Sequence, residues 1–509
     1  MMPRLLLALL TAFAVVSGTA FAQDVPGTPV SLNPPTSSGA DLPELGSPAA
    51  ALLSKTDEYR LGAMVAQQLR DQNALLEDPE VAEYVQTVGQ RLAAQSLDGG
   101  QGYQYLVVKD SVVNAFAVSG GWVFVNTGLI LFAQSESEMA AVLAHETAHI
   151  TQHHIARSIR NQSQQSITTA AALLAAILLG AIGGGQAAQA GIAATEGMAV
   201  QQQINFTRDN EYEADRVGIG YLAAAGYDPK AMAQTFQDLM RHEGLAETYI
   251  PAMLIDHPVT TDRIAEARSR AAQFPPHKVI ESQSFELIRE RVRILTSTGD
   301  VNLVHYYAGK IEHGEATLGN RYGEAVALMN SGRADEAVPI LQQLIKQHEG
   351  LTQLYAGLGQ AQAKAGHVDQ SLATFQHALL LFPRNVPITV RYAETLMGNN
   401  KAAQAHTVLL DLFNNVPPTP DQIRLTALAA SGAGDPGDAY YYMGEYQISG
   451  GNLNLAVQQL QLALASPNIS SIQRQRYQAR LDEVREYLAS TKKRQLTDNT
   501  DGQSGRGGH

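Results

Sequence analysis

Apolar positions along this 509-residue chain follow two rhythms, with a stretch of a third set between them. Residues 48 to 76 and 78 to 96 space small and aliphatic side chains as helices do. The second stretch opens on Asp78-Pro79-Glu80, a capping residue followed by two residues suited to a first turn. From 103 to 130 the pattern changes to β-branched, aromatic and small side chains alternating around Gly120-Gly121, which predicts two strands joined by a tight turn. Ser135-Glu136-Ser137-Glu138 then leads into Met139-Ala140-Ala141-Val142-Leu143-Ala144, good helix formers with acids where a helix N-terminus favours them. A further helix-compatible stretch begins at Asn210-Glu211-Tyr212-Glu213-Ala214-Asp215-Arg216.

The most apolar segment after the N-terminus, 167–182, has 16 residues and is broken by Gly183-Gly184-Gly185. That is short of the roughly 20 needed to cross a bilayer, so it reads first as a buried helix. A membrane-dipping helix, giving peripheral membrane contact, and a mobile cover over the active centre are the alternatives.

From about residue 300 the helical rhythm gains a longer period. Gly332-Arg333-Ala334-Asp335-Glu336-Ala337 is echoed by Gly366-His367-Val368-Asp369-Gln370-Ser371 and by Asn400-Lys401-Ala402-Ala403-Gln404-Ala405, each 34 residues after the last. That is the period of a tetratricopeptide repeat, and Pro383 falls where such a repeat ends. Gly451-Asn452-Leu453-Asn454 returns 51 residues after Asn400, one and a half periods, which implies an irregular insertion around Pro417-Pro418-Thr419-Pro420. Helical pairs of this kind stack into a solenoid whose concave face binds protein segments.

The two ends read differently. Met1 to Ala22 carries Arg4, an apolar run from Leu5 to Val16 and Ala20-Phe21-Ala22 ahead of Gln23, as in a cleavable secretory signal. Residues 23–47, rich in Pro, Ser and Gly, predict a flexible leader, and the chain beyond Leu488 a disordered tail. The expected organisation is a signal at 1–22, a leader at 23–47, a first domain at 48–277, a repeat domain at 278–489 and a tail at 490–509.

Composition narrows the partners. There is no cysteine, so neither a disulfide nor a lipid-anchoring thiol is available. The net charge is −13, and loss of Arg4 with the signal makes it −14, which argues against nucleic acid and leaves no polybasic handle for anionic lipid. Proteins are the expected partners.

The chemistry is concentrated in His145-Glu146-Thr147-Ala148-His149. Positions i and i+4 share one face of a helix, so both imidazoles can reach a single zinc ion while Glu146 addresses its water as general base. A catalytic zinc takes three protein ligands and keeps one position open. Glu211, Glu213 and Asp215 each offer a carboxylate, and spacing alone does not choose among them. His153 and His154 follow the motif and read as solvated or core-edge residues outside the site. His257, in Leu254-Ile255-Asp256-His257-Pro258, reads on its own as a structural or solvent-facing loop histidine.

Three ordered segments carry a resemblance over roughly residues 48 to 272. They are the His145–His149 motif, the preceding Asn114-Ala115-Phe116-Ala117-Val118-Ser119-Gly120-Gly121 with Val123 to Leu129, and Glu211-x-x-Ala214-Asp215. Together they resemble the zinc peptidase family of the CAAX prenyl protease and the heat-shock protease HtpX. That resemblance implies one Zn2+ per chain on His145, His149 and Glu211, with Asp215 behind them as an orienting partner. In periplasmic members the loop corresponding to Asp256-His257-Pro258, followed by a helix like Arg263-Ile264, lies near the metal. His257 is thereby a candidate fourth ligand holding the enzyme latent, or a candidate oxyanion stabiliser.

The expected fold is an α+β zincin-type metalloprotease domain, mostly helical, followed by an all-α tetratricopeptide solenoid. With the solenoid included, the resemblance implies a periplasmic endopeptidase and chaperone in quality control of outer-membrane β-barrel proteins. Its partners would be unfolded or stalled β-barrel proteins and, through the repeats, the β-barrel assembly machinery. The rival reading is a non-catalytic scaffold or chaperone with a structural zinc; a complete motif with its glutamate argues against it, because a structural site needs ligands but no base.

Overall fold

The computed structural model describes residues 55–504 except 101, 156, 158–207, 246–252, 254–256, 277–278, 280 and 300–301. The expected signal, leader and apolar 167–182 segment lie outside the described residues. Two helices, α1 (Lys55–Asp71) and α2 (Pro79–Ala93), open the chain. Asp78 caps α2, its carboxylate accepting the Val81 N–H at 3.2 Å, and Pro79 occupies the first turn, where its missing N–H costs nothing. Val81, Val85, Val88 and Leu92 recur at helical spacing and are all buried.

The alternating stretch forms three strands, one more than its pattern predicts. They are β1 (Gln104–Val108), β2 (Ala115–Val118) and β3 (Trp122–Asn126), in the order β1-β3-β2. β2 and β3 make the expected antiparallel hairpin, with Gly120 and Gly121 at φ 87° and 88°. A side chain at Gly120 would meet the backbone of Glu58 and Tyr59 at 2.4 Å, so the turn needs glycine on two counts. The unexpected strand is β1, which runs parallel to β3 with Gln104 opposite Trp122. Alternation marks a strand but says nothing of a parallel partner, which is reached through a crossover and not through a turn.

A short α3 (Thr127–Phe132) leads to α4 (Glu136–Thr151), which is buried from Glu136 to Ile150. A helix enclosed on every side belongs at the centre of a core. Around it lie α2, β2, α5 (Arg208–Ala225) and α6 (Ala231–Leu245), while α7 (Thr261–Ala271) closes over α5 and α6. Gly218 of α5 sets the closest approach: a Cβ there would stand 3.2 Å from the Ala144 carbonyl and the His145 nitrogen.

The rest is helical. α8 (Gln283–Thr296) and α9 (Leu303–Glu312) precede α10 (Leu318–Asn330), α11 (Ala334–Gln347), α12 (Thr352–Lys364), α13 (Val368–Leu381), α14 (Val386–Gly398) and α15 (Ala402–Phe413). Then come α16 (Pro420–Gly432), α17 (Pro436–Ser449), α18 (Leu453–Ala465) and α19 (Ser471–Ser504). Left-handed residues Gly332, Gly366, Asn400 and Gly434 punctuate the pairs at an unbroken interval of 34.

The expected insertion near Pro417 is therefore absent. α15 has 12 residues where α11 and α13 have 14, and the longer loop 414–419 makes up the difference. Thr419 and Gln422 then form a capping box that restarts the helix in register. Gly451 turns α17 into α18, half a period after Gly434. α19 runs past Leu488 to Ser504.

The solenoid is fixed to the first domain by buried charge. Asp78 accepts two hydrogen bonds from Arg291 of α8 at 2.7 Å each and one from Arg391 of α14 at 2.7 Å. Glu80 accepts from Arg391 at 2.7 Å and from Gln360 of α12 at 2.8 Å. The same α8 meets the start of α4 in a reciprocal clasp. Glu136 accepts the Ser282 N–H at 2.8 Å, and Glu281 accepts the Ser137 N–H at 3.1 Å. At the far end, the Arg60 guanidinium of α1 lies 4.6 Å from the Tyr487 ring of α19. Among the described residues, no helix is long and apolar enough to cross a membrane.

Candidate metal centre

The position of α4 decides the chemistry. Ser135 caps it by accepting the Glu138 N–H at 3.2 Å, and its second half then carries His145, Glu146 and His149 on a rigid, wholly buried rod. The hydroxyl of Tyr105 on β1 bonds Thr147 at 2.8 Å, and Thr147 donates to the Leu143 carbonyl, so the turn holding the motif is tied to the sheet.

α5 brings the acids. Glu211 and Asp215, four residues apart, share the face turned to α4, and Glu213 points elsewhere. Glu211 Oε2 lies 3.5 Å from His145 Nε2, and Glu211 Oε1 lies 3.5 Å from His149 Nε2. Asp215 Oδ1 is 3.0 Å from His145 Nδ1, behind the ring. Glu213 instead faces His154 at 3.2 Å and Arg157 at 3.1 Å. The loop before α7 completes the group: His257 Nδ1 stands 3.0 Å from Glu211 Oε1 and 3.4 Å from His145 Nε2, and its Nε2 is 3.6 Å from Glu146 Oε1.

Two further residues, to which the sequence gives no role in the site, belong to it. Arg263 of α7 grips Asp215 with two hydrogen bonds of 2.7 Å, reaches Glu211 Oε2 at 2.9 Å and donates to the Pro258 carbonyl at 2.8 Å. No local spacing rule links an arginine to an acid 48 positions away. His154 is fully buried, with its Nδ1 2.8 Å from His149 Nδ1. The chain turns at His153, whose φ of 54° ends the helical path and leaves His153 itself exposed.

The donor set fits a small divalent cation. Among the described residues, His145, His149, Glu211 and His257 each offer a ligand atom within 4.8 Å of the others, and all four are buried. Five of the six pairs approach to between 2.9 Å, for the two Nε2 atoms of His145 and His149, and 3.5 Å, for either of these histidines and a Glu211 oxygen. Donors about 2.0–2.1 Å from a tetrahedral zinc stand roughly 3.3 Å apart, inside that range.

The electrostatics agree. Burial alone would strip the proton from His145, but hydrogen bonds to Asp215 and Glu211 overcome it and lift the imidazole to about 10. Burial opposes the charge on Glu211 as well, yet His257 and His145 hold its carboxyl well below the usual range. Burial, helped by the charge of His145, pushes His149 well below its ordinary value.

Known proteins place the chain. The sequence profile of peptidase family M48 matches residues 79–271, and a tetratricopeptide repeat profile matches 321–350. A putative beta-barrel assembly-enhancing protease of Vibrio cholerae is 34% identical over 447 residues, 87% of this chain and 92% of that protein. The beta-barrel assembly-enhancing protease of Yersinia pestis is 31% identical over 449 residues, covering 87% and 91%. That of Escherichia coli K12 is 29% identical over 453 residues, covering 87% and 91%.

Proposed function

The chain belongs to peptidase family M48, with the beta-barrel assembly-enhancing proteases, and is a metalloendopeptidase; we propose that its metal is zinc, held by His145, His149 and Glu211. The observation that carries this reading is the convergence of these buried donors beside Glu146 at separations suited to a tetrahedral ion. Bound there, zinc would supply Lewis acidity, polarising the scissile carbonyl and easing the ionisation of water. Glu146 then takes the proton of the attacking water and returns it to the leaving amine. Asp215 backs His145 at 3.0 Å from Nδ1, a carboxylate placed to favour a proton there and a lone pair on Nε2, and Arg263 fixes both acids in place.

Substrate and place follow from the relatives. The names of these relatives concern β-barrel assembly, which supports a periplasmic role on unfolded or stalled outer-membrane β-barrel proteins. The residues before Gln23 support export. The solenoid would present such chains, or the assembly machinery, to the catalytic domain. Hydrolysis of unfolded casein with and without a chelator tests the activity. Absent cleavage would favour the scaffold reading with a structural metal, and cleavage indifferent to chelator would refute metal-dependent hydrolysis.

The choice of third ligand is tested by metal retention. Glu211→Gln should lose zinc on dialysis far more than Glu213→Gln, whose carboxylate faces away from the donors. Asp215→Asn should weaken binding by about 10- to 100-fold, the usual cost of losing an orienting partner. Equal retention in the Glu211 and Glu213 variants would refute the assignment.

His257 is proposed as a fourth ligand that keeps the enzyme latent, because its Nδ1 stands within 3.4 Å of donors on both Glu211 and His145. A filled coordination sphere has no room for a catalytic water, so turnover waits on movement of this loop. His257→Ala should therefore raise basal cleavage of unfolded substrate, self-cleavage included, without raising zinc affinity. A fall of about 10²- to 10³-fold would mark an oxyanion donor instead.

A further inference from the structure

The two histidines of α4 are backed by unlike partners. His145 Nδ1 faces a carboxylate directly, at 3.0 Å from Asp215. His149 Nδ1 faces another imidazole, His154 Nδ1, at 2.8 Å, and the far nitrogen of that ring, Nε2, lies 3.2 Å from Glu213 Oε2. Glu213 is held in turn by Arg157 at 3.1 Å. His154 is fully enclosed, so water does not compete for either of its nitrogens.

A neutral imidazole has one donor and one acceptor nitrogen, which allows this relay to run in only two directions. In one, His149 donates from Nδ1 to His154, and His154 donates from Nε2 to Glu213. His149 Nε2 then carries a lone pair toward Glu211 and His145. In the other, His154 donates from Nδ1 to His149, His149 must carry its proton on Nε2, and the bare Nε2 of His154 is pressed against a carboxylate oxygen. Glu213 accepts and cannot donate while ionised, so only the first direction is satisfied at every link.

We propose that His154 is a positioning residue which, backed by Glu213, fixes His149 in the tautomer and ring orientation needed to bind metal. The inference rests on the reading of His149 as a ligand. It gives the buried His154 and the misdirected Glu213 of α5 one task. It also gives a use to the left-handed residue His153, after which His154 comes within 2.8 Å of His149.

The test uses the full-length protein and reads zinc affinity by chelator competition, together with the visible spectrum of the cobalt-substituted form. His154→Leu fills the space and accepts nothing; His154→Asn keeps an acceptor near the Nδ1 position but does not reach Glu213. The leucine variant should lose about 10- to 100-fold in zinc affinity and show an altered cobalt spectrum, and the asparagine variant should recover most of that loss. Glu213→Gln should weaken zinc several-fold in the wild-type background, because an amide can donate to His154 and permit the wrong direction. In the His154→Asn background it should add nothing. Denaturant midpoints of the metal-free forms establish that each variant is folded, and should the leucine variant not fold, the Asn/Gln pair decides alone.

Wild-type affinity in His154→Leu would overturn the inference. So would equal losses in the leucine and asparagine variants, or a Glu213→Gln effect of the same size in both backgrounds. Zinc retained by His149→Ala would overturn the ligand assignment itself, and with it this inference.

Discussion

Glu146→Gln is expected to retain zinc and fold while losing about 10²- to 10⁴-fold in peptide hydrolysis, the usual weight of a positioned general base. Glutamine matches the shape of Glu146 in a site where the side chain is 1% exposed, so the change removes proton-accepting power and little else. The other carboxylates nearby are committed elsewhere: Glu211 Oε2 and Asp215 are engaged by Arg263, and Asp215 faces the rear of His145. The measurement is turnover of an unfolded substrate on protein whose metal content has been verified. Near-wild-type turnover in a metal-replete variant would sink the proposed mechanism. If the variant still prevents aggregation of unfolded chains while failing to cut them, the solenoid's binding role separates cleanly from the chemistry.

What the sequence revealed of this site follows the range over which each feature acts. The His145–His149 motif is local: two side chains one turn apart on one helix are positioned by that helix alone, and their pairing is visible in five letters. The choice among Glu211, Glu213 and Asp215 was partly open to the same logic, since residues 211 and 215 share a helical face and 213 does not, but which face meets α4 is tertiary information. His154 was hidden by assuming that the helix ran on. Counting turns from His149 points to His153, whereas α4 ends at Thr151 and the left-handed turn at His153 swings its neighbour inward. Arg263 had no local signature at all, because a buried guanidinium is defined by acids on another element. In the solenoid, Gly332, Gly366 and Asn400 set the register, but Asp435-Pro436-Gly437 obscures the third echo at Gly434, so that the letters alone suggest an insertion there. The parallel strand β1 was invisible for the converse reason: its alternation is local, its partner is not.

The attachment of solenoid to peptidase should be the most sensitive part of the fold to a single substitution. Arg291→Met is expected to destabilise the protein by about 3–5 kcal/mol, the cost of stripping one partner from a buried ion pair. Arg291 is 3% exposed, and its removal leaves Asp78 and Glu80, at 8% or less in their side chains, sharing Arg391 as their one cationic partner among the described residues. Replacing one charge is worse than replacing all of them, because the uncompensated carboxylates stay behind in a poor solvent. A variant with Asp78, Glu80, Arg291 and Arg391 all made apolar should therefore cost less than Arg291→Met. The pH dependence carries an independent sign. Burial would raise Asp78, but Arg291 and Arg391 outweigh it and hold the carboxyl well below its ordinary value. A carboxyl depressed in the folded state contributes stability that is present above its unfolded value, near 3.9, and drains away as pH falls below it. Wild-type protein should thus lose stability steeply in acid, and Arg291→Met, in which that depression is largely gone, should lose less over the same window. Denaturant midpoints from pH 7 to pH 3 read both effects. A cost below about 0.5 kcal/mol at neutral pH, the range of ordinary surface changes, would show that the hub does not hold the two domains together.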